Sequence, residues 1–140
     1  MAQIIVGYDG SEPSQTALDA AAGLAKALGD GIVIVFGYAP HGAGGGEVPS
    51  HREAVQELAE KATAEGLERA KAAGVEATAE LEPVHPVRAL NDAASKHSAR
   101  LIVVGSYGEA PLRGAILGST TYKLLHEAEV PVLVVPAPGA

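Results

Sequence analysis

The residues best suited to chemistry in this 140-residue chain are glycines and hydroxyl-bearing side chains near its C-terminal end. They form a glycine pair and, after nine intervening residues, a glycine followed by hydroxyl residues: Gly105, Gly108, Gly118, Ser119, Thr120 and Thr121. An apolar run, 101–104, precedes this pattern and a helical pattern follows it, so the order is strand, glycine-rich loop and helix start. Backbone N–H groups and hydroxyls at such a turn can surround a phosphate, with the positive end of the helix dipole behind them. The pattern therefore predicts a nucleotide-binding site.

The elements that must position these residues alternate between strand and helix. Apolar runs predict five strands, at 4–6, 32–36, 77–81, 101–104 and 130–135. Four of these runs are nearly continuous, as in strands buried on both faces, whereas the third alternates and predicts a half-exposed edge strand. Helical patterns predict helices between the strands: one capped by Ser11 with Pro13 in its first turn, one over about 50–73, one after Pro86 and one from about Ser119.

This alternation predicts an α/β fold, with a doubly wound five-stranded parallel sheet of order 3-2-1-4-5 in a single domain, 1–140. In that order the sheet reverses direction between the first and fourth strands, and ligands bind at the carboxyl ends of the strands at such a point. Asp9 follows the first strand and Gly105 ends the fourth, so we expect them to meet there. A carboxylate at a strand end can accept hydrogen bonds from ribose hydroxyls.

Composition argues against several other functions. The chain has no cysteine, which excludes disulfides and thiolate metal sites and indicates a cytoplasmic protein. Its net charge of -7 argues against sequence-independent nucleic-acid binding, which needs a basic surface. No apolar run approaches the roughly 20 residues of a membrane span, and the N-terminus lacks a signal-peptide pattern, so we expect no membrane association. The sequence also lacks a Walker lysine loop, a dinucleotide fingerprint after the first strand and a metal-binding spacing of histidines.

The spacing G-x2-G-x9-G-S resembles the nucleotide motif of the universal stress protein family, in its ATP-binding-motif subgroup. Segments 4–11, 101–119 and 131–135 are similar to that family's first strand with its aspartate, its fourth strand with the nucleotide loop, and its closing strand. The resemblance covers nearly the whole chain, and the three segments occur in the family's order and spacing, which is more specific than a lone glycine pair. It implies a flavodoxin-like or adenine nucleotide alpha hydrolase-like fold. It also implies a stress-response or signalling protein that binds ATP, AMP or cyclic AMP.

The resemblance implies a role for each candidate residue. Asp9 would contact the nucleoside with Gly7 beside it, and Tyr38 would line the adenine pocket. The other candidates would follow the ribose and the phosphates: Gly105, Tyr107, Gly108, Gly118, Ser119, Thr120 and Thr121. Tyr107 stands where relatives often carry a basic or imidazole side chain.

The fifth strand, from Val130 to Val135, is strongly apolar and carries no charged side chain, yet the strand order places it at a sheet edge. A long apolar edge needs a cover, because its unpaired backbone groups otherwise promote aggregation. The resemblance implies that the same strand of a second subunit pairs with it antiparallel. The protein would then act as a homodimeric, nucleotide-dependent switch.

Several alternatives stay open. The glycines could form only a tight turn with Ser119 as a helix N-cap. The chain could also be a structural dimer that binds no nucleotide, or a slow ATPase or phosphotransferase, although no residue near the loop is an obvious group for positioning an attacking water. Glu109 would repel a triphosphate unless Arg113 or a divalent ion, Mg²⁺ or Mn²⁺, intervened. The glycine-rich loop 40–49 could be either a linker or an active-site lid.

Overall fold

A computed structural model describes residues 1–38, 49–106 and 117–136 of the chain. Its strands and helices alternate as the sequence predicts: β1 (Gln3–Gly7), α1 (Glu12–Leu28), β2 (Gly31–Gly37), α2 (Pro49–Ala72), β3 (Ala77–Glu82), α3 (Pro86–Lys96), β4 (Leu101–Gly105), α4 (Ser119–Glu127) and β5 (Val132–Val135). The largest shift is in β5, which begins at Val132 rather than at Val130. Pro131 explains it, because proline has no N–H to donate to a strand ladder. Across these described ranges, no helix has the length and apolarity needed to cross a membrane.

The five described strands form one parallel sheet of order β3-β2-β1-β4-β5, which confirms the predicted doubly wound, flavodoxin-like α/β fold. Strand β1 lies at its centre, so that Ile5 is in register with Val33 of β2 and with Ile102 of β4. The sheet therefore changes winding direction between β1 and β4. Their carboxyl ends meet at the predicted ligand-binding edge.

Apolar side chains fill both faces of the sheet. Ile4 and Val6 of β1 pack with Leu18 of α1 on one face, and Ile5 packs with Leu90 of α3 on the other. All of these side chains are buried, which confirms that a continuous apolar run marks a strand covered on both faces. Strand β3 lies at one edge with side chains that are mostly half-buried, as its alternating sequence predicts.

Glycines at the carboxyl ends of β2 and β4 let two helices approach the sheet edge closely. A Cβ on Gly105 would lie 2.9 Å from the carbonyl oxygen of Pro13, at the start of α1. A Cβ on Gly37 would lie 2.7 Å from the Cα of Pro86, at the start of α3. Both distances are shorter than carbon atoms tolerate in contact with neighbouring backbone. These glycines therefore allow the N-terminal turns of α1 and α3 to pack against the edge where the ligand site is expected.

An ion pair lies at the opposite, amino ends of the strands. Arg100 donates two hydrogen bonds to Asp30, with Nε–Oδ2 and Nη2–Oδ1 distances of 2.6 and 3.2 Å. The Asp30 side chain is 2% exposed, and the hydrogen bond from Arg100 lowers the pKa of its carboxyl. The pair joins the chain just before β2 to the chain just before β4, across the start of β1.

Candidate functional site

A cavity of about 410 Å³ opens at the carboxyl ends of β1, β2 and β4. Most of the residues that the sequence singles out line it: Gly7, Asp9, Gly105, Gly118, Ser119, Thr120 and Thr121. The topology thus brings residues from both ends of the chain to one place, at the switch point of the sheet. The volume lies in the range of small-molecule sites.

The sequence alone does not single out the other lining residues as ligand-facing. They are Tyr8, Ser11, Ser14, Val35, Gly37, Pro86, Leu90 and Val104. Each lies at the carboxyl end of a strand or in the turns that begin the next helix. That position was the available signal, because the strand order already predicts which strand ends converge.

Three of the residues that the sequence singles out are not among the described residues that line the cavity. Tyr38 is half-buried and directly follows Gly37 of the lining: its N–H donates to the carbonyl of Glu82 at 3.1 Å, and its ring centroid lies 6.3 Å from that of Phe36. Tyr107 and Gly108 lie outside the described residues. The same holds for Glu109, Arg113 and all of the predicted loop 40–49 except Pro49, where α2 begins.

A larger and more open groove, about 680 Å³ in volume, lies at the other end of the sheet beside Gly31, Lys71 and Glu76. None of the sequence candidates lines it. It also lies away from the carboxyl edge, where parallel sheets of this topology bind ligands. The 410 Å³ cavity is therefore the candidate site.

Hydrogen bonds fix the turn that joins β1 to α1 on one side of the cavity. Asp9 Oδ1 accepts from both the backbone N–H of Ser11, at 2.9 Å, and the Ser11 hydroxyl. The Ser14 hydroxyl donates to the carbonyl of Ser11 at 2.8 Å and accepts from the Asp9 N–H at 3.4 Å. Gly10 makes the turn possible, because its φ of +84° lies in the left-handed region that favours glycine.

This side of the cavity accepts hydrogen bonds, because the hydroxyl protons of its two serines are already used. A serine hydroxyl has one proton to donate, and those of Ser11 and Ser14 are both used within the turn. Both serines are buried, whereas Asp9 is exposed, and its hydrogen bonds from described residues all reach Oδ1. Oδ2 of Asp9 is thus available to accept from a ligand that carries hydroxyl donors.

The start of α4, on the other side of the cavity, donates hydrogen bonds. Gly118 is the N-cap residue and makes no side-chain cap, which corrects the alternative that Ser119 caps the helix. The Gly118 N–H donates to the carbonyl of Ser106 at 2.7 Å, and the Thr121 hydroxyl donates to the carbonyl of Gly105 at 2.8 Å. The N–H groups of the first helical turn have no partner within a helix, and those of Ser119 and Thr120 make no hydrogen bond to another described residue, so we expect them to be available to an anion.

The helices α1 and α3 also begin at this edge, but their N-termini are already capped. The Ser11 hydroxyl accepts from Ser14 N–H, and His85 Nδ1 accepts from Val87 N–H, both at 3.4 Å. Each helix also has a proline in its first turn, and proline lacks the N–H that an anion would need. Among the three described helix starts at the cavity, α4 is thus the one suited to phosphate.

The described part of the lining contains no lysine, arginine or histidine. An anion there would be held by neutral donors, namely backbone N–H groups, the Ser119 and Thr120 hydroxyls and the dipole of α4. Within residues 1–38, 49–106 and 117–136, no group of three or more acidic or histidine side chains is arranged to hold a metal ion.

Comparisons with known proteins find similarity over nearly the whole chain. The model of the universal stress protein family matches residues 1–136. A Thermus aquaticus relative, called universal stress protein in QAH/OAS sulfhydrylase 3'region, is 34% identical over 133 residues, which cover 94% of this chain and 96% of the relative. Universal stress protein Rv2005c of Mycobacterium tuberculosis is 35% identical over 95% of this chain, which spans 45% of that longer protein. A solved structure of a universal stress protein in complex with cAMP has a TM-score of 0.77 and 27% identity, with 97% of both chains covered.

Proposed function

Since the chain belongs to the universal stress protein family, we propose that it binds an adenine nucleotide in the cavity at the carboxyl ends of β1 and β4. The match of the family model over residues 1–136 confirms the family resemblance noted in the sequence. Membership of the ATP-binding subgroup is part of the proposal. The bound cAMP of the similar structure supports an adenine nucleotide as the ligand class.

The opposed hydrogen-bonding character of the two sides of the cavity carries this proposal. Asp9 Oδ2 is available as an acceptor on one side, and the uncapped start of α4 supplies donors on the other. A nucleotide has the complementary order, with hydroxyl donors on its ribose and acceptor oxygens on its phosphate. We therefore place the nucleoside against Asp9 and the phosphate against Ser119 and Thr120.

The charges around the cavity bear on the choice among ATP, AMP and cyclic AMP. The described lining supplies only neutral donors to the phosphate and contains one carboxylate, that of Asp9. AMP and cyclic AMP bring fewer negative charges to such a site than the triphosphate of ATP does, so ATP would gain most from a divalent ion. We propose that all three bind and that Mg²⁺ or Mn²⁺ assists ATP most.

We further propose that β5 pairs with β5 of a second copy to form a homodimer. The two edges of the sheet differ in a way that favours this edge: β3 carries Glu80 and Glu82, whereas β5 carries only apolar side chains. Charged side chains protect an edge from pairing, and apolar ones do not. Leu133 of β5 is 39% exposed, so a partner strand would cover it.

One residue connects the proposed phosphate position to the proposed dimer edge. The Ser106 N–H donates to the carbonyl of Val135 in β5 at 3.1 Å, and its carbonyl accepts from the Gly118 N–H at 2.7 Å. A phosphate that stabilises the start of α4 would thus also stabilise the position of β5. Binding and dimerisation would then be linked reciprocally, as a nucleotide-dependent switch requires.

Calorimetric titration with ATP, AMP and cyclic AMP tests the proposal on the wild type and on Gly118→Val. The backbone of Gly118, with φ -68° and ψ 161°, suits valine, so the fold should persist while the new side chain obstructs the first-turn N–H groups. Gly23→Val is the matched control, because a Cβ on Gly23 meets nothing within 4 Å and the residue lies away from the cavity. We expect Gly118→Val to abolish binding and Gly23→Val to retain it. Equal affinity in all three proteins would show that the nucleotide is not held at α4.

A further inference from the structure

We propose that Ser11 is a positioning residue that orients the Asp9 carboxylate and thereby sets the preference of the site for nucleotides with free ribose hydroxyls. The inference rests on the proposed function, since it concerns how the nucleoside half of the ligand is selected. Ser11 makes its contribution through Asp9, without a bond of its own to the ligand.

The geometry of the turn supports this role. Two donors from one residue, the N–H and the hydroxyl of Ser11, converge on the same oxygen of Asp9. Rotation of the carboxylate would break both hydrogen bonds, so Oδ1 is held toward α1 and Oδ2 is left for the cavity. An exposed aspartate without such partners would sample several orientations and lose part of its binding to a fixed hydroxyl.

Ser11 is itself held in place by the first turn of α1. Its side chain is buried, and its carbonyl accepts from the Ser14 hydroxyl at 2.8 Å and from the Gln15 N–H at 3.0 Å. The rigid N-terminal turn of the helix therefore fixes the donor, and the donor fixes the carboxylate. This is the arrangement by which a second layer of hydrogen bonds preorganises a binding group.

Discrimination follows from the charge and position of Asp9. A carboxylate oriented toward a ribose hydroxyl gains a charge-assisted hydrogen bond from it, and a ligand that lacks the hydroxyl forgoes that bond to Oδ2. The loss is expected to weaken binding of the deoxygenated ligand roughly tenfold or more. A carboxylate that rotates freely would discriminate less.

The test compares the Kd of AMP with that of 2′,3′-dideoxy-AMP, by calorimetry, in the wild type, Ser11→Ala and Ser11→Thr. We expect a Kd ratio of roughly ten or more in the wild type, a ratio lowered about threefold or more in Ser11→Ala, and recovery in Ser11→Thr, which restores the hydroxyl. The ratio is the informative quantity, because a general loss of stability lowers both affinities together.

A control separates positioning from stability, since Ser11 is also the N-cap of α1. Gly29→Ala strains the other end of the same helix, where Gly29 has a φ of +73°, and it leaves the cavity intact. We expect Gly29→Ala to keep the wild-type ratio. If Ser11→Ala does not fold, Ser11→Gly serves instead, because glycine is nearly as good an N-cap as serine.

The outcomes distinguish this inference from the proposed function. Binding of AMP by the wild type together with an undiminished ratio in Ser11→Ala overturns the positioning role and leaves nucleotide binding standing. An equal Kd for the two ligands in the wild type does the same, as does a lowered ratio in Gly29→Ala. Failure of the wild type to bind AMP and the other adenine nucleotides overturns both.

Discussion

Replacing Gly105 by alanine should destabilise the protein, because this glycine sets the distance between the carboxyl end of β4 and the first turn of α1. The added Cβ would lie 2.9 Å from the carbonyl oxygen and 3.1 Å from the carbonyl carbon of Pro13. These are backbone atoms, so the clash cannot be relieved by turning a flexible side chain. The start of α1 would have to move by roughly 0.5 Å to reach ordinary contact distances.

The expected magnitude combines two opposing effects. Overpacking of a close contact typically costs about 1–3 kcal/mol. Alanine also reduces the entropy of the unfolded chain relative to glycine, which stabilises by about 0.4–1 kcal/mol. The net loss in the free energy of unfolding lies between about 0 and 2.6 kcal/mol, and its midpoint of about 1.3 kcal/mol corresponds to a fall in Tm of about 4 °C for a chain of this size.

Urea unfolding followed by circular dichroism measures this change, with Gly23→Ala as the matched control. Gly23 is exposed on α1, and a Cβ there meets nothing within 4 Å, so alanine should raise the free energy of unfolding by about 0.5–1 kcal/mol. The two substitutions are chemically identical and should have opposite signs. A Gly105→Ala protein as stable as the wild type, or more stable, would refute the close-contact explanation.

Three further predictions concern charge, assembly and metal dependence. Arg100 lowers the pKa of Asp30 in the folded protein, so the stabilisation is present above the unfolded pKa of about 3.9 and is lost as the pH falls through the folded value. The urea midpoint of unfolding should thus fall more steeply with decreasing pH, below about pH 4, in the wild type than in Asp30→Asn. Equal dependence of the midpoint on pH in the two proteins would contradict a contribution of this ion pair to stability. Leu133→Lys should convert a dimer into a monomer by light scattering at micromolar concentration, whereas a monomeric wild type would rule out the dimer. Glu109→Gln should weaken the dependence of ATP affinity on Mg²⁺ or Mn²⁺, and ATP affinities indifferent to chelation in both proteins would refute that role.

The structure indicates which residue of the dimer edge should be substituted. Within β5, Val132 and Val134 pack against the apolar cluster that includes Leu90 and Leu124, so lysine at either position would disturb the core as well as the edge. Leu133 projects to the other face and is the most exposed side chain of the strand. A substitution there tests pairing with less risk to the fold.

The fold could be predicted from the sequence because strands that are buried on both faces have nearly continuous apolar runs. The continuous apolar runs around Ile5, Val33 and Ile102 are adjacent strands in the sheet. The strand order then placed Asp9 and Gly105 at one edge, and the structure confirms that both line one cavity. These features depend on local patterns and on general rules of chain topology.

Features that depend on contacts distant in sequence could not be predicted in this way. The pairing of Asp30 with Arg100 joins residues 70 positions apart, and nothing local marks either residue as a partner. Gly105 was predicted to belong to the nucleotide loop, but the close contact that excludes a Cβ there is with Pro13 of α1. The ion pair and the close contact both depend on how helices and strands pack against one another. The hydrophobic pattern within each element does not show that packing.

The bonding within the β1–α1 turn has a partial signal in the sequence. The spacing of Asp9 and Ser11 is typical of a side chain that bonds the backbone two residues on, and Ser11 with Ser14 is typical of a helix start. What the pattern does not show is that both hydroxyl protons are used within the turn. That result required the hydrogen bonds themselves, and it is what assigns an accepting character to this side of the cavity.

The placement of the phosphate at α4 is tested most directly by an NMR titration of the backbone amides with AMP and, separately, with adenosine at saturating concentration. We predict that the amide signals of Asp9 and Ser11 shift with both ligands, because both carry the ribose. Those of Ser119 and Thr120 should shift with AMP and stay in place with adenosine, because only AMP carries the phosphate. Amides at the start of α4 that do not respond to AMP, or that respond equally to adenosine, would contradict the placement of the phosphate at α4.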